Sequence, residues 1–208
     1  LSSDMNVMEV LSELSSRQGK TRSITVPEGF STYEIDERLA EEKLINPGDF
    51  QAAAEKYEGF LFPDTYFIFE RGFAPEDLIK KMRDNFEKKV MSGEVGKKIE
   101  ASGRSLKEII IMASILEKEV RTVEDYAAVS GILWKRLKSD WALQADATLL
   151  YGKQDSAVSP EDLTRDSPYN TRIRNGLPPT PIGNPGLLTI RAALEPRRSA
   201  RAVVAGRF

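Results

Sequence analysis

The feature that most limits how this chain can fold is an apolar run, Ile109 to Leu116, that leads into acidic residues. Ser105 and Glu108 precede it with the spacing of a capping box, which begins a helix. At about 100° per residue, this helix has no polar face apart from the small Ser114. We therefore predict that other elements of the fold surround it.

Two carboxylates near the end of this predicted helix lie on different sides of it. Glu117 shares a side with Ala113, which leaves room for a ligand, whereas Glu119 projects roughly oppositely. A half-buried carboxylic acid in an apolar wall can donate a proton near neutral pH. The alternative is that both are ordinary helix-end carboxylates paired with Lys118 or Arg121, and this helix alone leaves both interpretations open.

The composition restricts the chemistry of any active site. The 208 residues include no cysteine and no histidine, which excludes thiol nucleophiles, Ser-His-Asp triads, disulfides and imidazole zinc sites. Acid–base chemistry is left to carboxylates, Lys or Tyr. The net charge of −2, with no basic tail, favours a neutral polar partner over nucleic acid or an anionic membrane. Since no apolar run reaches the ~20 residues of a membrane span, we expect a soluble chain.

The first part of the chain is predicted to be a small α+β unit that follows an irregular or helical lead-in over residues 1–20. Arg22 to Val26 are rich in β-branched residues and alternate, which predicts a strand that ends at Pro27-Glu28-Gly29. A capping box at Ser31 begins one helix, and a second short helix is predicted over residues 48–56. We expect this unit to have a core separate from the long apolar helix.

An aromatic segment over residues 57–69 follows, interrupted by Pro63-Asp64. It predicts two strand pieces joined by a turn. Aromatic residues at this density could form a sugar-stacking wall, but they are more often part of a core.

Beyond it, helical spacing of apolar residues predicts surface helices over 75–90 and 123–138, with short helices after Ser159 and over 187–194. Residues 176–186 contain four prolines and three glycines, which fix a rigid, irregular loop. Such a loop is usually functional, with structural bracing as the alternative, and we predict that it lies beside Glu117.

Several motifs, taken together and in order, resemble one family, the MltG or YceG-like endolytic murein transglycosylases. They are Val26-Pro27-Glu28-Gly29, Glu58 to Tyr66, Ala113 to Glu119, Leu143 to Thr148 with Tyr151-Gly152, Tyr169-Asn170-Thr171, and Gly176 to Pro179 with Asn184-Pro185-Gly186. Each motif alone is weak, but six in register along most of the chain are specific.

The resemblance implies an α+β fold in which a small LysM-like module precedes a mainly helical, lysozyme-like catalytic domain. We place the lead-in and module at 1–56 and the catalytic domain at 57–208. The family's N-terminal membrane helix would anchor it in the bacterial cytoplasmic membrane, with the catalytic part outside the cytoplasm. The implied partners are peptidoglycan glycan strands and peptidoglycan synthases, with no nucleic acid and no cofactor.

The resemblance also implies the reaction. The MurNAc–GlcNAc β-1,4 bond within a glycan strand is cleaved to leave a 1,6-anhydro-MurNAc end, with one Glu acting first as acid and then as base. The family motif places that role on Glu117, and no metal is needed. The residues that the resemblance implies for substrate binding are Gln144, Asp146, Thr148, Tyr169, Asn170, Pro178 and Asn184.

The sequence departs from the family pattern at Lys135 and Ala147. It also ends at Phe208, before the family's usual final strands, which would leave the catalytic domain incomplete and weaken activity if those strands are needed. The rival hypothesis is a non-catalytic scaffold that binds peptidoglycan through the LysM-like module. A pyridoxal-phosphate lyase is a third reading, but no motif supplies a phosphate-binding loop.

Overall fold

The computed structural model describes residues 21–153 and 157–197, so the predicted lead-in lies outside the described residues. Within these ranges the elements are, in chain order, β1 (Thr21–Thr25), α1 (Thr32–Glu41), α2 (Asp49–Ala54), β2 (Thr65–Phe69), α3 (Pro75–Phe86), α4 (Glu94–Ala101), α5 (Leu106–Glu119), α6 (Val123–Lys138), α7 (Ala147–Leu150), α8 (Pro160–Thr164) and α9 (Leu187–Leu194). A 3₁₀ turn (Glu55–Tyr57) follows α2, and a π-helical turn (Glu87–Met91) follows α3. The predicted α+β class is confirmed.

Local sequence accounts for where several helices begin. Ser31, Ser105 and Ser159 each accept a hydrogen bond from the backbone N–H three residues on, and the carboxylate at that position bonds back to the serine N–H. These reciprocal bonds satisfy donors that a helix start otherwise leaves open. The predicted capping boxes of α1 and α5 are therefore confirmed.

The aromatic segment forms one strand rather than the predicted two. β2 pairs antiparallel with β1, and Ile24 faces Tyr66 across the pair. The earlier half of the segment is a loop because its backbone donors have other partners. The N–H of Leu61 bonds to the side chain of Asn184, and the N–H of Phe62 bonds to the carbonyl of Met82.

Apolar side chains form two separate clusters. The first joins the sheet to α1, α2 and α3, and its members are Ile24, Val26, Ile35, Leu39, Phe50, Ala54, Leu61, Tyr66, Ile68, Leu78, Ile79 and Met82. The second surrounds α5, whose residues from Ile109 to Leu116 are all buried, as the absence of a polar face predicts. The first cluster draws residues from both sides of position 56, and the division into domains at that position stays a prediction.

The two clusters meet at Gly59, where the aromatic segment crosses the rigid loop and α5. Gly59 has φ +86°, and a Cβ built on it would lie 2.4 Å from Cγ of Pro181 and 2.9 Å from Cγ2 of Ile110. The rigid loop 176–186 is thereby pressed against both the aromatic segment and α5. In the part of the chain that the structure describes, no helix is both long and apolar enough to cross a membrane.

We predict that Gly59→Ala destabilises the fold by about 2–5 kcal/mol, since positive φ and overpacking both oppose the added methyl group. Gly72 is the matched control, because it has φ +74° but no atom within 4 Å of the added Cβ. Gly72→Ala should cost only about 1–2 kcal/mol, the backbone penalty alone. Urea unfolding of both variants measures the difference, and equal losses would show that the crossing at Gly59 is loosely packed.

A second prediction concerns Glu58, whose burial raises its pKa above the ordinary value of 4.5. The folded state then holds a proton more tightly than the unfolded state, so stability falls as pH rises from 4.5 through the raised pKa. The free energy of unfolding of the wild type should therefore fall more steeply over this range than that of Glu58→Gln. Urea titrations at several pH values test this, and parallel curves would contradict it.

Candidate active site

The carboxylate of Glu117 lies half-buried in the last turn of α5, where three donors from three different segments meet it. Its Oε2 accepts hydrogen bonds from the N–H of Gly186 at 2.8 Å and from the hydroxyl of Thr189 at 2.6 Å. Its Oε1 accepts one from the hydroxyl of Tyr126 at 3.3 Å. These contacts fix the orientation of the carboxylate between α5, α6 and the start of α9.

The turn after β1 packs against the same carboxylate. A Cβ at Gly29 would lie 3.1 Å from Cγ of Glu117, and one at Gly186 would lie 1.9 Å from Oε1 of Glu28. The Glu28 side chain therefore lies directly against the backbone of Gly186. Burial, and after it the charge of Glu117, raises the pKa of Glu28.

The end of the rigid loop reaches this site through Gly186, so the prediction that the loop lies beside Glu117 is confirmed. The loop also exchanges backbone hydrogen bonds with the turn after β1. Gly29 donates to the carbonyl of Asn184 at 2.8 Å, and Asn184 donates to the carbonyl of Phe30 at 2.9 Å. The prolines of the loop hold this backbone in place before any ligand binds.

Glu119 lies on another side of α5, as its position predicts. Its Oε1 accepts a hydrogen bond from the N–H of Ala147 at 2.8 Å, at the start of α7. Glu119 also borders a cavity of about 610 Å³, together with Asp146, Tyr151 and Lys118. Partial burial of its carboxyl is the main reason that the pKa of Glu119 is raised, and the charge of Asp146 adds to the effect.

Three of the residues predicted for substrate binding keep accessible surface. Gln144 is exposed with φ +56°, and Asp146 pairs with Arg172 through an Nε–Oδ1 bond of 2.7 Å. Tyr169 packs on Tyr151 with ring centroids 4.7 Å apart. Of the three, Asp146 lines the cavity and Tyr169 packs on Tyr151, which also lines it. None of the three bonds to Glu117.

The other predicted residues are buried and already have partners or close packing. Thr148 bonds to the hydroxyl of Thr171 at 2.9 Å, and Pro178 is buried. The side-chain amide of Asn170 donates to the carbonyls that end α8, and that of Asn184 donates to Phe30 and Glu58. In this structure the hydrogen bonds of Thr148, Asn170 and Asn184 hold neighbouring segments together.

Sequence reasoning missed Tyr126 and Thr189 as contacts of Glu117, whereas Gly186 belongs to the loop that was predicted to lie beside it. Among the described residues, the hydrogen-bond partners of Glu117 are Tyr126, Gly186 and Thr189, and none of the predicted substrate-binding residues is among them. Tyr126 lies within the helix predicted over 123–138, and Glu28 lies in the turn predicted after the first strand. No pattern in the sequence shows that these segments meet. Nor do the described residues include a group of three or more acidic side chains arranged to hold a metal ion.

Two curated relatives align with part of this chain. An endolytic murein transglycosylase of Bacillus subtilis is 36% identical over 146 residues, which cover 68% of this chain and 39% of the relative. One from Streptococcus pneumoniae is 31% identical over 157 residues, which cover 71% of this chain and 27% of the relative. The aligned part is thus well under half the length of either relative.

A solved structure and a family model extend the likeness along almost the whole chain. The crystal structure of a YceG-like protein from Listeria monocytogenes matches with a TM-score of 0.74 and 27% identity, covering 96% of this chain and 75% of that one. The sequence model of the YceG-like family matches residues 1–203. Since that match leaves out only the last few residues, and the fold agrees with it, the chain belongs to the YceG-like family.

Proposed function

We propose that this chain is the catalytic part of an endolytic peptidoglycan lytic transglycosylase, which cleaves the MurNAc–GlcNAc β-1,4 bond within glycan strands. The observation that carries the proposal is the Glu117 carboxylate, held half-buried by three donors where the N-terminal unit, the rigid loop and α5 meet. The names of the Bacillus and Streptococcus relatives support the same activity.

One carboxyl group suffices for this reaction. Glu117, as an acid, gives its proton to the glycosidic oxygen, and the bond between that oxygen and C1 of MurNAc breaks. The C6 hydroxyl of the same MurNAc forms the new bond to C1 and gives its proton to the Glu117 carboxylate. The acid is thereby restored, no water is consumed, and the strand ends in 1,6-anhydro-MurNAc.

The donors around Glu117 serve this cycle by fixing the carboxylate. The N–H of Gly186 and the hydroxyl of Thr189 both bond to Oε2, so they hold that oxygen in place. Tyr126 bonds to Oε1 at a longer distance, which leaves that oxygen the less tightly held. A carboxyl held in one orientation reacts faster because less freedom is lost on reaching the transition state.

We assign the substrate contacts to Gln144, Asp146 and Tyr169, which keep accessible surface. Asp146 lines the cavity beside Glu119. The buried residues Thr148, Asn170, Pro178 and Asn184 hold the surrounding segments in position. The domain architecture that we propose is a LysM-like module over 1–56 followed by a lysozyme-like domain over 57–208. Cleavage takes place outside the cytoplasm, where peptidoglycan lies, alongside peptidoglycan synthases.

We predict that Glu117→Gln keeps the fold but lowers the cleavage rate by at least the ~10²–10⁴-fold typical of general acid–base catalysis. The amide oxygen can still accept from Gly186 and Thr189, and the amide nitrogen can donate to Tyr126. Turnover of purified glycan strands measures the cleavage rate, and circular dichroism measures whether the fold is kept.

Glu119→Gln is the matched control, since its amide oxygen can still accept from Ala147. It should cost much less activity than Glu117→Gln. A larger loss in Glu119→Gln would move the acid to the cavity side of α5, and equal losses with intact folding would show that Glu117 is not the sole acid and base.

The products form a separate prediction. Mass spectrometry of digested glycan strands should show ends lighter by one water than hydrolysis products, because the C6 hydroxyl replaces water as the nucleophile. Added chelator should leave the rate unchanged. Ordinary reducing-end MurNAc would indicate a hydrolase, and binding of strands without any product would indicate the non-catalytic scaffold.

A further inference from the structure

A second carboxylate, that of Glu28, approaches the Glu117 site from the N-terminal unit. Glu28 follows Val26, which belongs to the apolar cluster of the sheet, so its backbone is anchored in that unit. Its carboxyl lies against Gly186, within 1.9 Å of where a Cβ would stand. The N–H of the same Gly186 donates to Glu117. One glycine therefore separates two acidic groups that are far apart in the sequence.

The two carboxylates differ in their partners. Glu117 accepts three hydrogen bonds, from Tyr126, Gly186 and Thr189. Within residues 21–153 and 157–197, no hydrogen bond or ion pair reaches the carboxyl of Glu28. The charge of Glu117 therefore acts on the carboxyl of Glu28 with no hydrogen-bond donor from the described residues to offset it.

None of the groups described next places a positive charge beside Glu28 and Glu117. From α6 comes Tyr126, a phenol whose pKa is itself raised by burial and then by the charges of Glu117 and Glu28. Lys118, the next residue of α5, bonds instead to Glu34, at 3.1 Å. The loop and the start of α9 supply an N–H and a hydroxyl, which carry no charge.

We propose that Glu28 is a positioning residue of the cleavage site, whose carboxyl lies across Gly186 from that of Glu117 and is coupled to it by charge, so that the N-terminal unit completes the acid–base machinery. This inference rests on the function proposed above. The pair starts the reaction with one proton and a charge of −1. It reaches −2 when the glycosidic oxygen has been protonated, and the proton of the C6 hydroxyl restores −1. Like charges resist the −2 state, so the charge of one carboxylate opposes the ionisation of the other.

The first test measures the coupling without requiring activity. The carboxyl carbons of ¹³C-labelled glutamate are followed by NMR against pH in the whole chain, and Glu28→Gln identifies the Glu28 signal. Glu117→Gln should move the titration midpoint of Glu28 to lower pH, because a facing negative charge is removed. Glu119→Gln, on the other side of α5, should leave it in place. An unchanged midpoint in Glu117→Gln overturns the proposal.

The second test measures the consequence for cleavage. In Glu28→Gln the alkaline limb of the kcat/KM profile should move to lower pH, since the remaining carboxyl loses its proton more easily. Glu55→Gln, an exposed carboxylate of the same unit, should give the wild-type profile. A loss of rate that is uniform across pH would assign Glu28 a purely structural role and overturn the proposal. If the wild type cleaves no glycan strand, the proposed function fails, while the NMR titration still decides whether the pair is coupled.

Discussion

The relative position of the two apolar clusters depends on one buried carboxylate, that of Glu58. It accepts hydrogen bonds from the N–H and hydroxyl of Thr32, from the side-chain amide of Asn184 and from the hydroxyl of Tyr151. A buried charge without partners costs roughly several kcal/mol, and these donors offset part of that cost. They come from the start of α1, from the rigid loop and from the residue after α7, so a single side chain ties three distant segments together.

Asn184 carries this connection to the active site. Its side-chain oxygen accepts from the N–H of Leu61 at 3.0 Å, while its backbone exchanges hydrogen bonds with Gly29 and Phe30. The loop is therefore fixed to the aromatic segment on one side and to the turn after β1 on the other. This arrangement places Gly186, two residues later, within hydrogen-bond distance of Glu117. Polar contacts, rather than a shared apolar core, thus build the site between the clusters.

The end of α5 has two chemically different sides. Glu117 faces uncharged donors and one unpartnered carboxylate, whereas Glu119 caps the start of α7 and borders a cavity. The exposed ion pair between Lys118 and Glu34 lies near them, but such pairs contribute only about 0–1 kcal/mol. The hydrogen bonds of Glu117 and Glu119 instead hold the helix end against α6, α7 and the start of α9.

The sequence by itself determined the elements whose signals are local, namely the capped starts of α1 and α5, the strand before Pro27 and the fully buried apolar helix. It missed α4, whose start has no side-chain cap, and it placed a strand piece where Leu61 and Phe62 instead bond to distant partners. Periodicity also separated the sides of Glu117 and Glu119, because helix geometry is fixed by spacing. Only the tertiary structure brought Glu28, Tyr126 and Thr189 to Glu117, since contacts between segments far apart in the chain depend on how the clusters pack.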